Sequence, residues 1–321
     1  MRALRFERTG SLEDLALADV PRPVPLESEL LIKVAAAAVN PSDPKNVLGR
    51  MHDTTVPRTP GRDFAGTVEQ GPPAWLGRSV FGTGGNLGFG RDGSHAEYVV
   101  VPIEAAVAVP RGISLPQAAG IGLPYLTAWE VRSAAVLLPG ETILVLGALG
   151  SVGGAVARLA HRAGARVIGV ARTLKDVAAG ATVPVDAWID LASTGLAAGC
   201  RALTGGRGAD VVFDPVGGDL FEPCLAALAR RGRQVTIASG GKPRVAFNLV
   251  DFYHNESRLI GVDSLKASFA HAGQVLGELI PAFESGALPA PEVEASPLAA
   301  APEIYRLIDA GTLRKKIVLV P

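Results

Sequence analysis

Apolar positions along the chain follow two rhythms, and the change falls near residue 115. Before it, short runs alternate apolar and polar residues: "ELLIKVAAAAV" (29–39), "DFAGTVE" (63–69) and "HAEYVVVP" (95–102). Clusters of Pro and Gly at 57–61 and 82–93 punctuate them. Period-two alternation between turn residues marks half-buried strands, so the first 110 residues predict an all-β barrel or sandwich. Beyond residue 115, continuous apolar runs ("TILVLGA", "RVIGVA", "DAWID", "DVVFDPV", "QVTIAS") alternate with helical spacings such as Val152, Ala155, Val156, Leu159 and Ala163. Strands buried on both faces with helices between them predict βα units and an open parallel sheet. "FAHAGQVLGELIPAFESG" (269–286) predicts one more helix, and "KKIVLVP" a last strand with no helix after it. That strand suits the β-rich part. The chain is therefore expected to leave the first domain, build a second and return, with 1–122 and 266–321 in one domain and 123–265 in the other.

Composition narrows the classes. A chain of 321 residues, 48% hydrophobic, has material for two cores, since a single core stops growing at roughly 250–300 residues. Lys+Arg and Asp+Glu both number 31, so no charge excess points to nucleic acid or to an anionic membrane. Cys200 and Cys224 stand far apart without a C-x-x-C pattern, which argues against a disulfide framework or a zinc ribbon. The opening "MRALRFER" is too charged for the core of a signal peptide. No run approaches the ~20 apolar residues of a membrane helix. These features predict a soluble, cytoplasmic protein.

The stretch "LVLGALGSVGGAVARLA" (144–160) reads as a phosphate-cradling turn. Ala148 stands where the first glycine of G-x-G-x-x-G would fall, followed by Gly150 and Gly153. Gly150 is expected to allow the tight turn, and Gly153 the close packing of helix on strand. A strand at 142–147, a helix from Ser151 and a second strand ending at Ala171 would make one βαβ unit of ~30 residues. Gly150, Ser151, Val152 and Gly153 would then meet a dinucleotide pyrophosphate. A glycine-rich corner that binds nothing has the same letters. The second strand's end chooses the cofactor. NAD sites place Asp or Glu ~20 residues on, to bond the ribose 2′-hydroxyl. Here Ala171 holds that place, followed by Arg172, Thr173 and Lys175. Arg172 offers a planar, bidentate donor for a 2′-phosphate and Lys175 a second charge, which favours NADPH. Both cations also suit a plain solvated surface.

Six segments then share an order and spacing: "AVNPSDPK" (38–45), "PGRDFAGTV" (60–68), "HAEYVVVP", "LTAW" (126–129), the 144–160 turn and "DVVFDPVGG" (210–218). Through them the chain resembles, over essentially its whole length, the medium-chain dehydrogenase/reductase superfamily. Within it the likeness is to the zinc-free quinone oxidoreductase branch, the ζ-crystallin-like enzymes. The resemblance implies an α/β protein: a GroES-like β-barrel catalytic domain and a Rossmann doubly wound parallel-sheet domain, with the active site in the cleft between them. Zinc-dependent relatives carry a cysteine near the first segment and G-H-E-x-x-G in the second. Here Asn40 and Arg62 take the two ligand places, and 80–98 holds no cysteine. His52, His95, His161, His254 and His271 show no ligand spacing, and His95 reads as a strand residue. No metal site is expected.

Without a metal, nothing stabilises the alkoxide of a saturated ketone. A quinone, or an alkene conjugated to a carbonyl, delocalises the added electrons itself, so the protein need only position the reactants and exclude water. The resemblance implies that Asn40 and Asp43 lie near the nicotinamide ribose and that Thr127 touches the nicotinamide. Turn chemistry around Pro41 and Pro44 would equally account for the first two, and helix packing for Thr127. Val216, Gly217, Ser239 and Gly240 follow later strands and are expected to border the cofactor. Tyr125, Tyr253 and His254 are candidates to hydrogen-bond a substrate oxygen, although each also suits packing. The leading expectation is NADPH-dependent hydride transfer to a small-molecule quinone. Reduction of activated C=C bonds (enones, enoyl thioesters) and a non-catalytic NADPH-binding role remain open. "PRVAFNLV" (243–250) predicts an edge strand opened by Pro243, through which two copies would pair as a homodimer.

Overall fold

The computed structural model describes residues 1–177, 182–313 and 315–321. They fall into two compact units, Met1–Leu126 with Ser264–Pro321, and Thr127–Asp263. In chain order, the first unit begins with β1 (Arg2–Arg5), β2 (Ala16–Asp19), β3 (Glu29–Ala38), α1 (Ser42–Val47), β4 (Phe64–Gln70), β5 (Ser79–Gly82), β6 (Tyr98–Pro102), β7 (Val107–Ala108) and α2 (Leu115–Ala119). Helix α3 (Gly122–Ala135) leads into β8 (Thr142–Leu146), α4 (Ser151–Arg162), β9 (Arg166–Ala171), β10 (Ala187–Asp190), α5 (Leu196–Leu203), β11 (Ala209–Asp214), α6 (Phe221–Ala226), β12 (Leu228–Thr236), α7 (Leu249–His254) and β13 (Arg258–Gly261). The chain closes with α8 (Phe269–Glu284), β14 (Glu294–Pro297), α9 (Ala301–Asp309) and β15 (Ile317–Val320).

Strand β3 organises the first unit. It pairs antiparallel with β4, β6 and β15, and of its ten residues only Lys33 is exposed. A strand with neighbours on several sides has no solvated face, which is why its sequence runs almost continuously apolar. The β15 pairing (Val318 opposite Ala38) brings the end of the chain back to this unit, as the lone terminal strand predicts.

In the second unit the described strands run β10-β9-β8-β11-β12-β13, every neighbouring pair parallel. This is the 3-2-1-4-5-6 order of a doubly wound sheet. Every residue of β8 ("TILVL") is buried, as a strand covered by helices on both faces requires. The expected pairing of a β-rich domain with a Rossmann sheet is the architecture found. Among the described residues no helix is long and apolar enough to cross a membrane.

Two expectations are corrected. Residues 243–250 form no strand: the chain is irregular from 242 to 248 and then enters α7. The alternation of Val245, Phe247 and Leu249 is misleading because a cap intervenes. The Asn248 side chain accepts from the Val250 and Asp251 N–H groups and starts a helix. Phe247 is turned inward against Phe221 and Phe252, with ring centroids 6.1 and 5.4 Å away. The sheet edge is β13 instead. His95 is not in a strand either, because β6 starts only at Tyr98 and the imidazole is drawn fully into the interior.

Candidate active site

The second unit builds a crevice from backbone. At β8 the strand order reverses, with β9 on one side and β11 on the other, and open α/β sheets take ligands outside the carboxyl ends of strands at such a point. The turn after β8 bends at Gly147, with φ +65°, and the Gly150 N–H donates to the Gly147 carbonyl at 2.9 Å. Gly150 itself is extended (φ −84°) as the N-cap of α4. The tight-turn role expected of Gly150 therefore belongs to Gly147. Gly153 behaves as expected: a Cβ there would fall 2.1 Å from the Gly147 oxygen, so α4 sits hard against the strand end. Ala148 is fully buried. Ser151, Val152 and Gly153 form the first turn of α4, where N–H groups lack intrahelical partners and the helix dipole favours an anion.

The opposite wall hangs on one buried carboxylate. Asp214, at the end of β11, accepts at Oδ1 from the Val216 and Gly217 N–H groups (3.0 and 2.7 Å). Its Oδ2 accepts from Gln234 Nε2 at 3.0 Å. This fixes Gly217 at φ +64° and brings it against the 238–240 turn. A Cβ on Gly217 would lie 2.6 Å from the Ala238 oxygen, and one on Gly240 2.7 Å from the Val216 oxygen. Only glycine permits that approach. Val216, Ser239 and Gly240 are exposed at the rim. At the end of β9, Ala171 is buried and Arg172 and Lys175 are exposed. Thr173 caps a 3-10 turn by accepting from the Lys175 N–H. Among the described residues neither cation forms an ion pair.

The first unit holds a different kind of centre, made of buried polar side chains. Asn40 follows β3, and its backbone N–H donates to Asp43 Oδ2 at 2.7 Å. Its Nδ2 donates to Asp63 Oδ2 at 2.9 Å, and its Oδ1 accepts from Lys316 Nζ at 2.6 Å. Lys316 also donates to the Val39 carbonyl at 3.2 Å. Asp63 Oδ1 accepts the Leu123 N–H at 2.9 Å, and its backbone carbonyl accepts the Ser94 hydroxyl at 2.6 Å. Burial raises Asp43 to about 7; the Asn40 N–H opposes this and the Asp63 charge adds to it. Asp43 Oδ1 is buried without a partner. Burial lowers Lys316, with Asp63 and Asp43 opposing.

Behind this cluster His95 and Tyr305 form a buried pair. His95 Nε2 lies 3.3 Å from the Ala38 carbonyl and Nδ1 2.7 Å from the Tyr305 hydroxyl. A carbonyl can only accept, so Nε2 carries the hydrogen and Nδ1 accepts from the tyrosine. Burial lowers His95 to about 4, which keeps it neutral at pH 7. Gly61, at φ +102°, makes room for the ring: a Cβ there would lie 2.4 Å from His95 Cδ2. Arg62 is also buried and donates to the Ser264 carbonyl at 3.3 Å.

Of the residues singled out from sequence, Asn40 and Asp43 come together, and the glycine turns gather at one sheet end. Thr127 is buried on α3. Tyr125 packs edge-on against Phe283 (5.0 Å), and the exposed Tyr253 lies against His254 (4.6 Å). Asp63, Lys316, Tyr305 and Asp214 were not anticipated. Asp63 and Asp214 each border an apolar run, where a carboxylate is costly unless hydrogen-bonded. That was the available signal. Lys316 stands directly before the returning strand.

Comparison with known proteins shows the family of the chain. Residues 27–111 match the alcohol dehydrogenase GroES-like domain family, and 151–277 match the zinc-binding dehydrogenase family. A zinc-type alcohol dehydrogenase-like protein of Schizosaccharomyces pombe is 35% identical over 290 residues, 89% of this chain and 85% of the relative. Human quinone oxidoreductase is 30% identical over 301 residues, 89% of each chain. A mycobacterial protein solved in complex with NADPH superposes with a TM-score of 0.87 at 27% identity, covering 100% of both chains.

Proposed function

Because the chain belongs to the medium-chain dehydrogenase/reductase family and is quinone oxidoreductase-like within it, we propose that it is an NADPH-dependent reductase acting on quinones without zinc. The observation that carries the reading is the pairing of the glycine-lined crevice with a β9 end that bears Arg172 and Lys175 and no carboxylate from Arg172 to Lys175. This sheet end suits a dinucleotide: the turns at Gly153, Gly217 and Gly240 pack too closely for a side chain, and the first turn of α4 offers N–H groups to a pyrophosphate. NADPH, when bound, supplies the hydride. Gly150, Ser151, Val152 and Gly153 would hold its pyrophosphate. Arg172, Thr173 and Lys175 would receive its 2′-phosphate, and Val216, Gly217, Ser239 and Gly240 would border the cofactor. Asn40, Asp43 and Thr127 are assigned to the reacting end.

Zinc does not suit the donor set around Asn40. The Asn40 oxygen already faces an ammonium, whose charge would repel a metal cation, Arg62 is a guanidinium, and both His95 nitrogens are engaged. Both cysteines are buried in the second unit. Among the described residues no three His, Cys, Asp or Glu side chains are placed to hold a metal. A quinone needs no such Lewis acid, because its own π-system spreads the incoming charge. Two free, buried thiols suit the cytosol. The open edge of β13, with Leu259 38% exposed, is the surface we assign to a homodimer, since pairing two such edges closes both.

The test is NADPH oxidation with 1,4-naphthoquinone and with 2-cyclohexenone, with and without EDTA. Quinone turnover that survives the chelator is the expected result. Faster turnover of the enone would move the substrate to activated C=C bonds, and tight NADPH binding with neither turned over would make the protein a non-catalytic binder. Loss of activity with EDTA, restored by zinc, would reject the metal-free reading.

A further inference from the structure

Asn40 is held from both ends, and the two partners leave its amide a single orientation. Lys316 Nζ, which can only donate, faces Oδ1 at 2.6 Å. Asp63 Oδ2, which as a carboxylate can only accept, faces Nδ2 at 2.9 Å. Turning the amide over would set donor against donor and acceptor against acceptor. One N–H of Nδ2 and one lone pair of Oδ1 remain for a ligand, each at a fixed place. We propose that Lys316 and Asp63 are positioning residues that lock the Asn40 amide in the orientation the reaction uses. This rests on the assignment of Asn40 to the reacting end.

The arrangement is built at some cost, which argues against accident. An ammonium and a carboxylate taken out of water lose far more solvation than one hydrogen bond returns. Here each makes further bonds that anchor it to backbone: Lys316 to the Val39 carbonyl, Asp63 to the Leu123 N–H. Both anchors sit on elements converging at one point, the end of β3 and the start of α3. Charged and titratable groups face the cluster from every packed element: Asp43 on α1, Arg62 and Asp63 before β4, His95 before β6, Tyr305 on α9 and Lys316 before β15. With His95 neutral, the two carboxylates and two cations balance when Asp43 is ionised.

The experiment is a pair of double-mutant cycles with NADPH and 1,4-naphthoquinone. Lys316→Met removes the donor and keeps the stem; Asp63→Asn keeps an acceptor for Leu123 but turns a donor toward Asn40 Nδ2. Each is expected to lower kcat/KM at least about tenfold, in kcat more than in NADPH affinity, and Asn40→Ala about as much. If the two residues act through Asn40, adding either change to Asn40→Ala causes no further loss. Losses that multiply in the double variants, or single variants that turn over normally, would overturn the inference. Should Lys316→Met fail to fold, the Asp63→Asn cycle decides alone. A slow Asn40→Ala with multiplying losses removes only this inference. Wild-type turnover by Asn40→Ala removes the site assignment itself, and the inference with it.

Discussion

The two units make their sites from different materials. In the second, the crevice is backbone: glycines at positive φ, N–H groups at a helix start, and one carboxylate, Asp214, that folds a turn. In the first, the centre is side chains: the Asn40 amide joins Asp63 and the half-buried Lys316, and Asp43 accepts from the Asn40 backbone N–H. A backbone site tolerates no added atom but is largely indifferent to pH. A buried side-chain site depends on protonation and on each partner's presence. The difference fits the division of labour in the proposed function, a cofactor met by backbone in one unit and polar groups controlled in the other.

The sharpest way to break the comparison is to add an atom where the backbone leaves none. Gly153→Val would drive a side chain into the Gly147 carbonyl, 2.1 Å from the first added carbon. Since backbone cannot yield as a side chain can, NADPH binding should fall by two orders of magnitude or more, together with ~1–3 kcal/mol or more of stability. Titration of cofactor fluorescence and thermal unfolding would show both. Gly277→Ala is the matched control on α8, with nothing within 4 Å of the added carbon. It should be neutral or stabilising by roughly 0.5–1 kcal/mol. If Gly153→Val binds NADPH like wild type, the crevice is not where the dinucleotide lies.

Next in size is the pH dependence of the first unit. Burial raises the Asp43 carboxyl from its ordinary 3.8 to about 7 in the fold. Between those values the folded state keeps a proton the unfolded state has released, so this group's contribution to stability falls as pH rises through the window. By pH 8 the deficit is on the order of 4 kcal/mol. Asp43→Asn keeps an acceptor for the Asn40 N–H and removes the titration. Denaturant unfolding should find it more stable than wild type at pH 8, with the gain vanishing toward pH 4. His95 works in the opposite sense: lowered from 6.5 to about 4, it contributes stability above 6.5 that is lost as pH falls to 4. The two partly cancel in wild type. An equal effect of Asp43→Asn at both pH values would show that the carboxyl does not titrate there.

A smaller effect tests whether the units are separable. Tyr305→Phe would leave His95 Nδ1 buried without its donor, costing ~1–3 kcal/mol. Because the pair lies in the first unit, NADPH affinity should stay within about twofold of wild type, checked by the same titration. A tenfold weaker affinity would mean that the crevice depends on the first unit's core.

The same contrast explains what could be read in advance. Glycine spacing reports backbone, so the turn at 147–153 and the pairs near 217 and 240 are visible in the letters. Even there the pattern puts the bend one glycine too late, because a spacing does not say which glycine takes the positive φ. Asn40 and Asp43 belong to a motif, but Asp63 and Lys316 reach Asn40, and Tyr305 reaches His95, from distant segments, and no local rhythm encodes a hydrogen bond between residues so far apart. The 243–250 stretch failed for a local reason: Asn248 offered its side chain to the next N–H groups, and a cap prevailed over alternation.

The most direct test of the account concerns the end of β9. Apparent affinities of wild type for NADPH and NADH, and kcat/KM with each using 1,4-naphthoquinone, should favour NADPH at least about tenfold, ~1.4 kcal/mol. Arg172→Ala should lose most of that preference by weakening NADPH while leaving NADH nearly unchanged, as the loss of a charge-assisted phosphate contact requires. A wild type that uses both cofactors equally, or an Arg172→Ala variant that weakens both alike, would contradict the account.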